Sequence, residues 1–167
     1  MLNDSGDREK FESGAVRDMK KGKGRCDLLA LDVVCEYFNR QENSMKKNRI
    51  DILKSIYNYQ ETEDIKFLYK VLRQASQVIF NSKDIDMFLE LSIHFEEGAE
   101  KYGVDNWKKG IPEWSYLDSA IRHFLKWLRM DADERHDRAF VWNIICLIWT
   151  IENKGDNDDI NNFYYTN

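Results

Sequence analysis

Two sets of carboxylates in this 167-residue chain are spaced to act together. In HFEEGAEKYG, Glu97 and Glu100 form an E-x-x-E pair, and Glu96 stands four residues before Glu100. Side chains three or four apart leave a helix on nearly the same face. Glu134 and Asp137, in DERHD, form an E-x-x-D pair. Two such helices packed antiparallel would let four carboxylates converge. Gathered carboxylates repel and lose hydration, so cations must compensate them. Hard oxygen ligands at about 2.0–2.1 Å suit Mg²⁺, which keeps waters and takes phosphate oxygens as further ligands. Mn²⁺ fits the same set. The plainer alternative for either pair is a solvated acidic face.

A basic loop supplies the complementary charge. Residues 14–25, GAVRDMKKGKGR, hold five basic residues against one acid, Asp18. Glycines there let backbone N–H groups approach an anion. Arg17, Lys20, Lys23 and Arg25 are candidate polyphosphate ligands, and arginine adds bidentate contacts. Lys108 and Arg122 are further phosphate candidates. The loop lacks the G-x-x-x-x-G-K-[ST] pattern of a Walker A motif. A solvated charge run explains it equally well. For a base, Asn106 offers an amide and Trp107 an indole to stack, and Asn143 is an amide among Trp142, Ile144 and Ile145. A core position at a bend would also account for Trp107, and a backbone partner would account for Asn143.

These residues need helices to carry them. Asp27 is placed as the N-cap of a buried helix, DLLALDVVCEYFNR. Ile50, Leu53, Ile56 and Tyr57 mark a short amphipathic helix, and Thr62 opens another with an apolar stripe from Ile65 to Val78. A helix over about 84–102 ends at Gly103, read as a left-handed cap. Ser115 caps the next, and the last runs from about Asp133 to Asn153. No period-2 strand pattern is read, so the expected fold is an all-α helical bundle. The expected divisions are a frayed arm over 1–13, one catalytic domain over 14–154 with a helical insert at 39–87, and a polar acidic tail over 155–167. Nearly all-round apolarity of the last helix predicts burial on more than one side, and hence a homo-oligomer, a dimer or tetramer.

Composition narrows the classes. The formal charge is −5, with 43% hydrophobic residues and one proline. That excludes a disordered chain and argues against a general nucleic-acid binder. No apolar run approaches the ~18 residues of a membrane span. The polar, acid-bearing N-terminus resembles neither a signal nor a transit peptide. Cys26, Cys35 and Cys146 form no CxxC, so a reducing cytoplasm is expected.

The segments GAVRDMKKGKGRCDLL, HFEEGAEKYGVDNWKKGIP, YLDSAIRHFLKWLR and DERHDRAFVWNIICLIWT together resemble a phage and bacterial family, the dATP/dGTP diphosphohydrolase N-terminal-like domain. The resemblance covers residues 14–38 and roughly 88–151. That family is similar to the all-α, MazG-like nucleoside triphosphate pyrophosphohydrolases, marked by a helical E-x-x-E followed by E-x-x-D. The resemblance implies that Glu97, Glu100, Glu134 and Asp137 bind Mg²⁺, with Glu97 and Glu134 catalytic. The chain departs from the pattern in a long gap between the two pairs. It also departs at Glu100, where relatives often carry lysine and Glu96 is the substitute, and at Ala30 in place of a proline. The implied reaction cleaves a purine (d)NTP to the monophosphate and pyrophosphate, in the cytoplasm of a bacterial or phage-infected cell. One alternative is an HD-type phosphohydrolase built on His136-Asp137 with His94 or His123, although only Asp156, Asp158 and Asp159 follow as a downstream aspartate. The others are a catalytically silent nucleotide-binding protein and a structural interaction module.

Overall fold

The helix over His136–Glu152 (α6) is the centre of the molecule, because its sequence leaves it no polar face to turn outward. Phe140, Val141, Ile144, Cys146 and Leu147 are all fully buried. A computed structural model describes residues 8–18, 24–40 and 47–153. Around α6 lie α3 (Lys66–Val78), α4 (Asp84–Tyr102) and α5 (Glu113–Arg129). These three neighbours cover much of the apolar surface of α6 within the chain, while Trp142, Ile145, Trp149 and Ile151 stay partly exposed. The short link after α5 turns α6 back along it, and this is the most extensive helix pair. Tyr116, Ile121 and Phe124 of α5 are buried against α6. Each such large side chain contributes about 1.5–3 kcal/mol by leaving water.

Helix α2 (Lys47–Thr62) packs on α3, and α1 (Leu31–Arg40) on α2. Ile52, Leu53, Ile56, Leu68 and Val71 join the same core as α5 and α6, so the segment read as an insert is continuous with the rest. Among the described residues no helix is long and apolar enough to cross a membrane. Opposite the buried Met87, Leu91 and His94, helix α4 exposes Ile85, Phe88, Leu89 and Ile93.

Several expected boundaries move. The helix expected from Asp27 begins at Leu31, because Cys26–Leu28 first makes a 3-10 turn. It is also less buried than expected. Leu31 and Cys35 face the core, while Val33 and Tyr37 are 63% and 58% exposed. Thr62 ends α2 rather than opening α3; its hydroxyl donates to the Asn58 carbonyl one turn back. Ser115 is not a cap. Helix α5 starts at Glu113, behind Pro112, whose φ of −58° already suits a helix entry. Gly103 does close α4, donating its N–H to the Ala99 carbonyl, but at φ 92° and ψ 153°. That is glycine-only backbone rather than the left-handed helical region.

Part of the expected arm is ordered. Arg8–Lys10 (β1) pairs antiparallel with Val16–Asp18 (β2), Glu9 opposite Arg17. Ser13 Oγ donates to the Gly110 carbonyl and ties the intervening turn to the loop before α5. The expected acidic tail, 155–167, lies outside the described residues, as do Lys20 and Lys23.

Candidate functional site

Strand β2, the C-terminal half of α4, the loop behind it, α5 and α6 enclose a cavity of about 500 Å³. That is within the ordinary range for small-ligand sites. Of the expected site residues, Arg17, Arg122, Glu134, Asn106, Trp107 and Asn143 line it. Glu96, Glu97, Glu100, Asp137, Arg25 and Lys108 do not.

Arg17 is carried into the wall by β2. Its Nη2 donates to Asn143 Oδ1 at 2.7 Å and its Nη1 to Ser115 Oγ at 3.2 Å. The guanidinium lies 5.1 Å from the Tyr116 ring centroid and 5.8 Å from that of Trp142. Burial pulls its pKa down from the usual arginine value. Among the described residues, every partner of Arg17 is neutral. The other cavity cations are compensated. Lys101 Nζ donates to Asp18 Oδ2 at 2.9 Å, Lys126 Nζ to Asp133 Oδ2 at 2.8 Å, and Arg122 pairs with the buried Asp118.

The expected base readers have structural tasks. Asn106 brackets one peptide: Oδ1 accepts from Val16 N at 3.0 Å, and Nδ2 donates to Val16 O at 2.9 Å. Asn143 donates to the Ala139 carbonyl while it orients Arg17. Trp107 packs edge-on against Trp149 and tilted on Phe95, and its carbonyl accepts from the buried Tyr116 hydroxyl. Arg25 leaves the cavity because Asp27 holds it in a two-point pair at 2.7 and 2.5 Å, with its guanidinium over Trp114. Lys108 is exposed and paired with Asp105.

The four carboxylates of the E-x-x-E and E-x-x-D pairs do not meet around one ion as they stand. Glu97 accepts from Arg138 Nη2 at 2.8 and 2.7 Å across the α4–α6 contact. Asp137 is held by the Arg135 fork at 3.0 and 2.8 Å. Burial alone would raise the Asp137 pKa, but the fork and backbone donors outweigh it and keep it below the ordinary value. Glu96 and Glu100 are exposed on α4. Each arginine thus supplies the compensation that a cation would have supplied. Among the described residues, no set of three ligand atoms within 4.8 Å of one another includes Glu96, Glu97, Glu100 or Asp137. The set therefore does not fit a single Mg²⁺ ion in this arrangement.

Glu134 keeps different company. Its Oε1 lies 3.2 Å from His123 Nδ1 and 3.3 Å from His136 Nδ1, and the two imidazole nitrogens are 3.0 Å apart. Asp133 Oδ1 lies 2.8 Å from the other nitrogen of His136, Nε2. Lys126 and then His136 hold Asp133 well below the usual carboxylate range. Burial, backed by His136 and Arg122, pulls the His123 pKa well below 6.5. His94, tilted against Trp142, is lowered to about 4 by burial and by Arg138.

Lys101, Tyr102, Lys126 and Trp142 also line the cavity and were not read as site residues. A signal was present for part of this wall. Ser119, Arg122, His123 and Lys126 recur at i, i+3, i+4 and i+7, a polar stripe along one face of α5.

Fold and site together define an all-α bundle with a cavity of small-ligand size, lined by apolar surface and by a few charged side chains. Residues 73–160, just over half of the chain, match the family model described as dATP/dGTP diphosphohydrolase, N-terminal, and the chain belongs to that family. No curated protein and no solved structure matches it.

Proposed function

We propose that the cavity binds a purine deoxynucleoside triphosphate, dATP or dGTP, and that the chain hydrolyses it to the monophosphate and pyrophosphate. The observation that carries this reading is Arg17, a guanidinium on the cavity wall whose partners among the described residues are all neutral. A buried positive charge without a carboxylate is costly, and a phosphate restores the balance with bidentate geometry. The family supports a diphosphohydrolase-like activity, which favours a nucleoside triphosphate as the anion.

The substrate is the Mg²⁺ or Mn²⁺ complex of the nucleotide, which brings its own charge neutralisation to the phosphates. Within the chain, Arg17 and Arg122 hold phosphate oxygens. The Trp107 and Trp142 rings give the base an apolar wall. Glu134 takes the proton of the water that attacks the α-phosphorus. The P–O bond to the β-phosphate breaks, and pyrophosphate leaves with that electron pair.

The test is a panel of canonical and modified NTPs and dNTPs with Mg²⁺ and Mn²⁺, read by pyrophosphate release. Purine deoxynucleotides are expected to turn over fastest. Tight binding with no turnover under either ion would instead make the chain a nucleotide-binding regulator.

A further inference from the structure

The triangle made by His123, Glu134 and His136 has the dimensions of one face of a metal coordination sphere. Its edges are 3.0, 3.2 and 3.3 Å. Ligands bonded at about 2.0–2.1 Å stand ~3.3 Å apart around a tetrahedral ion and ~3.0 Å apart around an octahedral one. An ion placed above the plane therefore reaches all three atoms with little movement.

We propose that His123 Nδ1, His136 Nδ1 and Glu134 Oε1 form a binding site for one divalent first-row transition ion, of the Zn²⁺, Mn²⁺ or Co²⁺ class. Three observations carry it. The donor set is two imidazoles and one carboxylate, which selects transition ions over Mg²⁺. Asp133 accepts from His136 Nε2, which places the proton there and leaves the Nδ1 lone pair turned into the triangle. A carboxylate behind a histidine is the usual support of a metal-binding imidazole. Among the described residues, the ion-pair partners of Glu134 are these two histidines, so no lysine or arginine already neutralises it. By contrast, Asp131 in the neighbouring Asp131–Asp133–His136 group is held by the Arg129 fork, and Asp133 by Lys126.

The architecture fixes the three donors before any ion arrives. His136 is buried in the first turn of α6. Its N–H donates to the Glu134 carbonyl at 3.0 Å, and Glu134 Oε1 lies 3.3 Å from its Nδ1. His123 comes from α5, so the ion would clamp the α5–α6 pair together. His123 and Glu134 both line the cavity, so the ion borders the proposed nucleotide site. The site thus deepens the hydrolase reading, but rests on it only for what the ion does.

The test is a Co²⁺ titration of chelator-stripped protein, followed by visible d–d absorption. One equivalent of Co²⁺ is expected to give a band that Zn²⁺ displaces. His123→Asn and Glu134→Gln should each weaken binding by more than about 10-fold, with helical circular dichroism retained. Asp133→Asn, behind the ligand, should weaken it by about 10–100-fold. No band at any Co²⁺ concentration, or a band unchanged in both ligand variants, overturns the site. Pyrophosphate release by protein that shows no such band overturns the site and leaves the hydrolase reading standing. A band with no turnover of any nucleotide supports the site and overturns the hydrolase reading.

Discussion

Glu97 on α4 and Arg138 on α6 meet through a single guanidinium nitrogen, Nη2, which lies 2.8 and 2.7 Å from the two carboxylate oxygens. The pair crosses the α4–α6 contact, with Arg138 almost wholly buried. Breaking a fully buried pair from one side costs about 3–5 kcal/mol, and the partial exposure of Glu97 reduces this. Arg138→Met should therefore lower unfolding stability by roughly 2 kcal/mol. Urea denaturation followed by circular dichroism measures it; an unchanged midpoint would show that the pair holds nothing together.

Arg17 behaves differently because, among the described residues, no carboxylate balances it. Removing such a charge should cost the fold little, since the partners left behind, Asn143 and Ser115, are neutral. Arg17→Met is expected to stay within about 1 kcal/mol of the parent stability. Its affinity for a non-hydrolysable triphosphate analogue should fall more than about 10-fold, the loss of one charge-assisted contact. Calorimetric titration reads the second effect, and equal affinity would remove Arg17 from the site.

Asn106 holds both sides of the Val16 peptide, at 3.0 and 2.9 Å. Asn106→Leu should leave α5 and α6 intact but loosen β2 from the loop before α5. Hydrogen exchange at the Val16 amide is expected to quicken, with a stability loss of about 1–2 kcal/mol. Unchanged protection at Val16 would mean that the strand is held elsewhere.

His94 sets a pH dependence whose sign is fixed. Its native pKa is lowered to about 4 from 6.5, chiefly by burial. Between those values the unfolded chain binds a proton that the native chain refuses, so stability falls as pH drops from about 6.5 toward 4 and then levels off. The full loss is roughly 3 kcal/mol. His123, lowered for the same reason, adds to it with the same sign. His94→Leu should flatten part of the slope between pH 7 and pH 4.5 in urea denaturation. A variant with the parent slope would show that His94 does not titrate in unfolding.

The elements carrying the site were the easiest to read from sequence. Helix α4 was expected over about 84–102 and is observed there, because its apolar residues recur on one face and Gly103 stops it. The end of α6 was nearly as clear; its start moved to His136 because residues 133–135 are spent on the turn that presents Glu134. The hairpin was not legible. Three-residue strands are too short to show an alternating pattern, and β2 owes its place to an asparagine ninety residues away in sequence. The site was half legible for a related reason. Spacing places Glu97 and Glu100 on one helix face but cannot show that Arg138 reaches Glu97 first. Nor does spacing pair His123 with His136, which come together only when α5 and α6 pack.

The most direct test is product analysis on dATP and dGTP with Mg²⁺ or Mn²⁺, comparing the parent protein with Glu134→Gln. The account predicts deoxynucleoside monophosphate and pyrophosphate in equal amounts, and a loss of at least about 100-fold in the variant. Release of triphosphate with free nucleoside, or full turnover by Glu134→Gln, would contradict it.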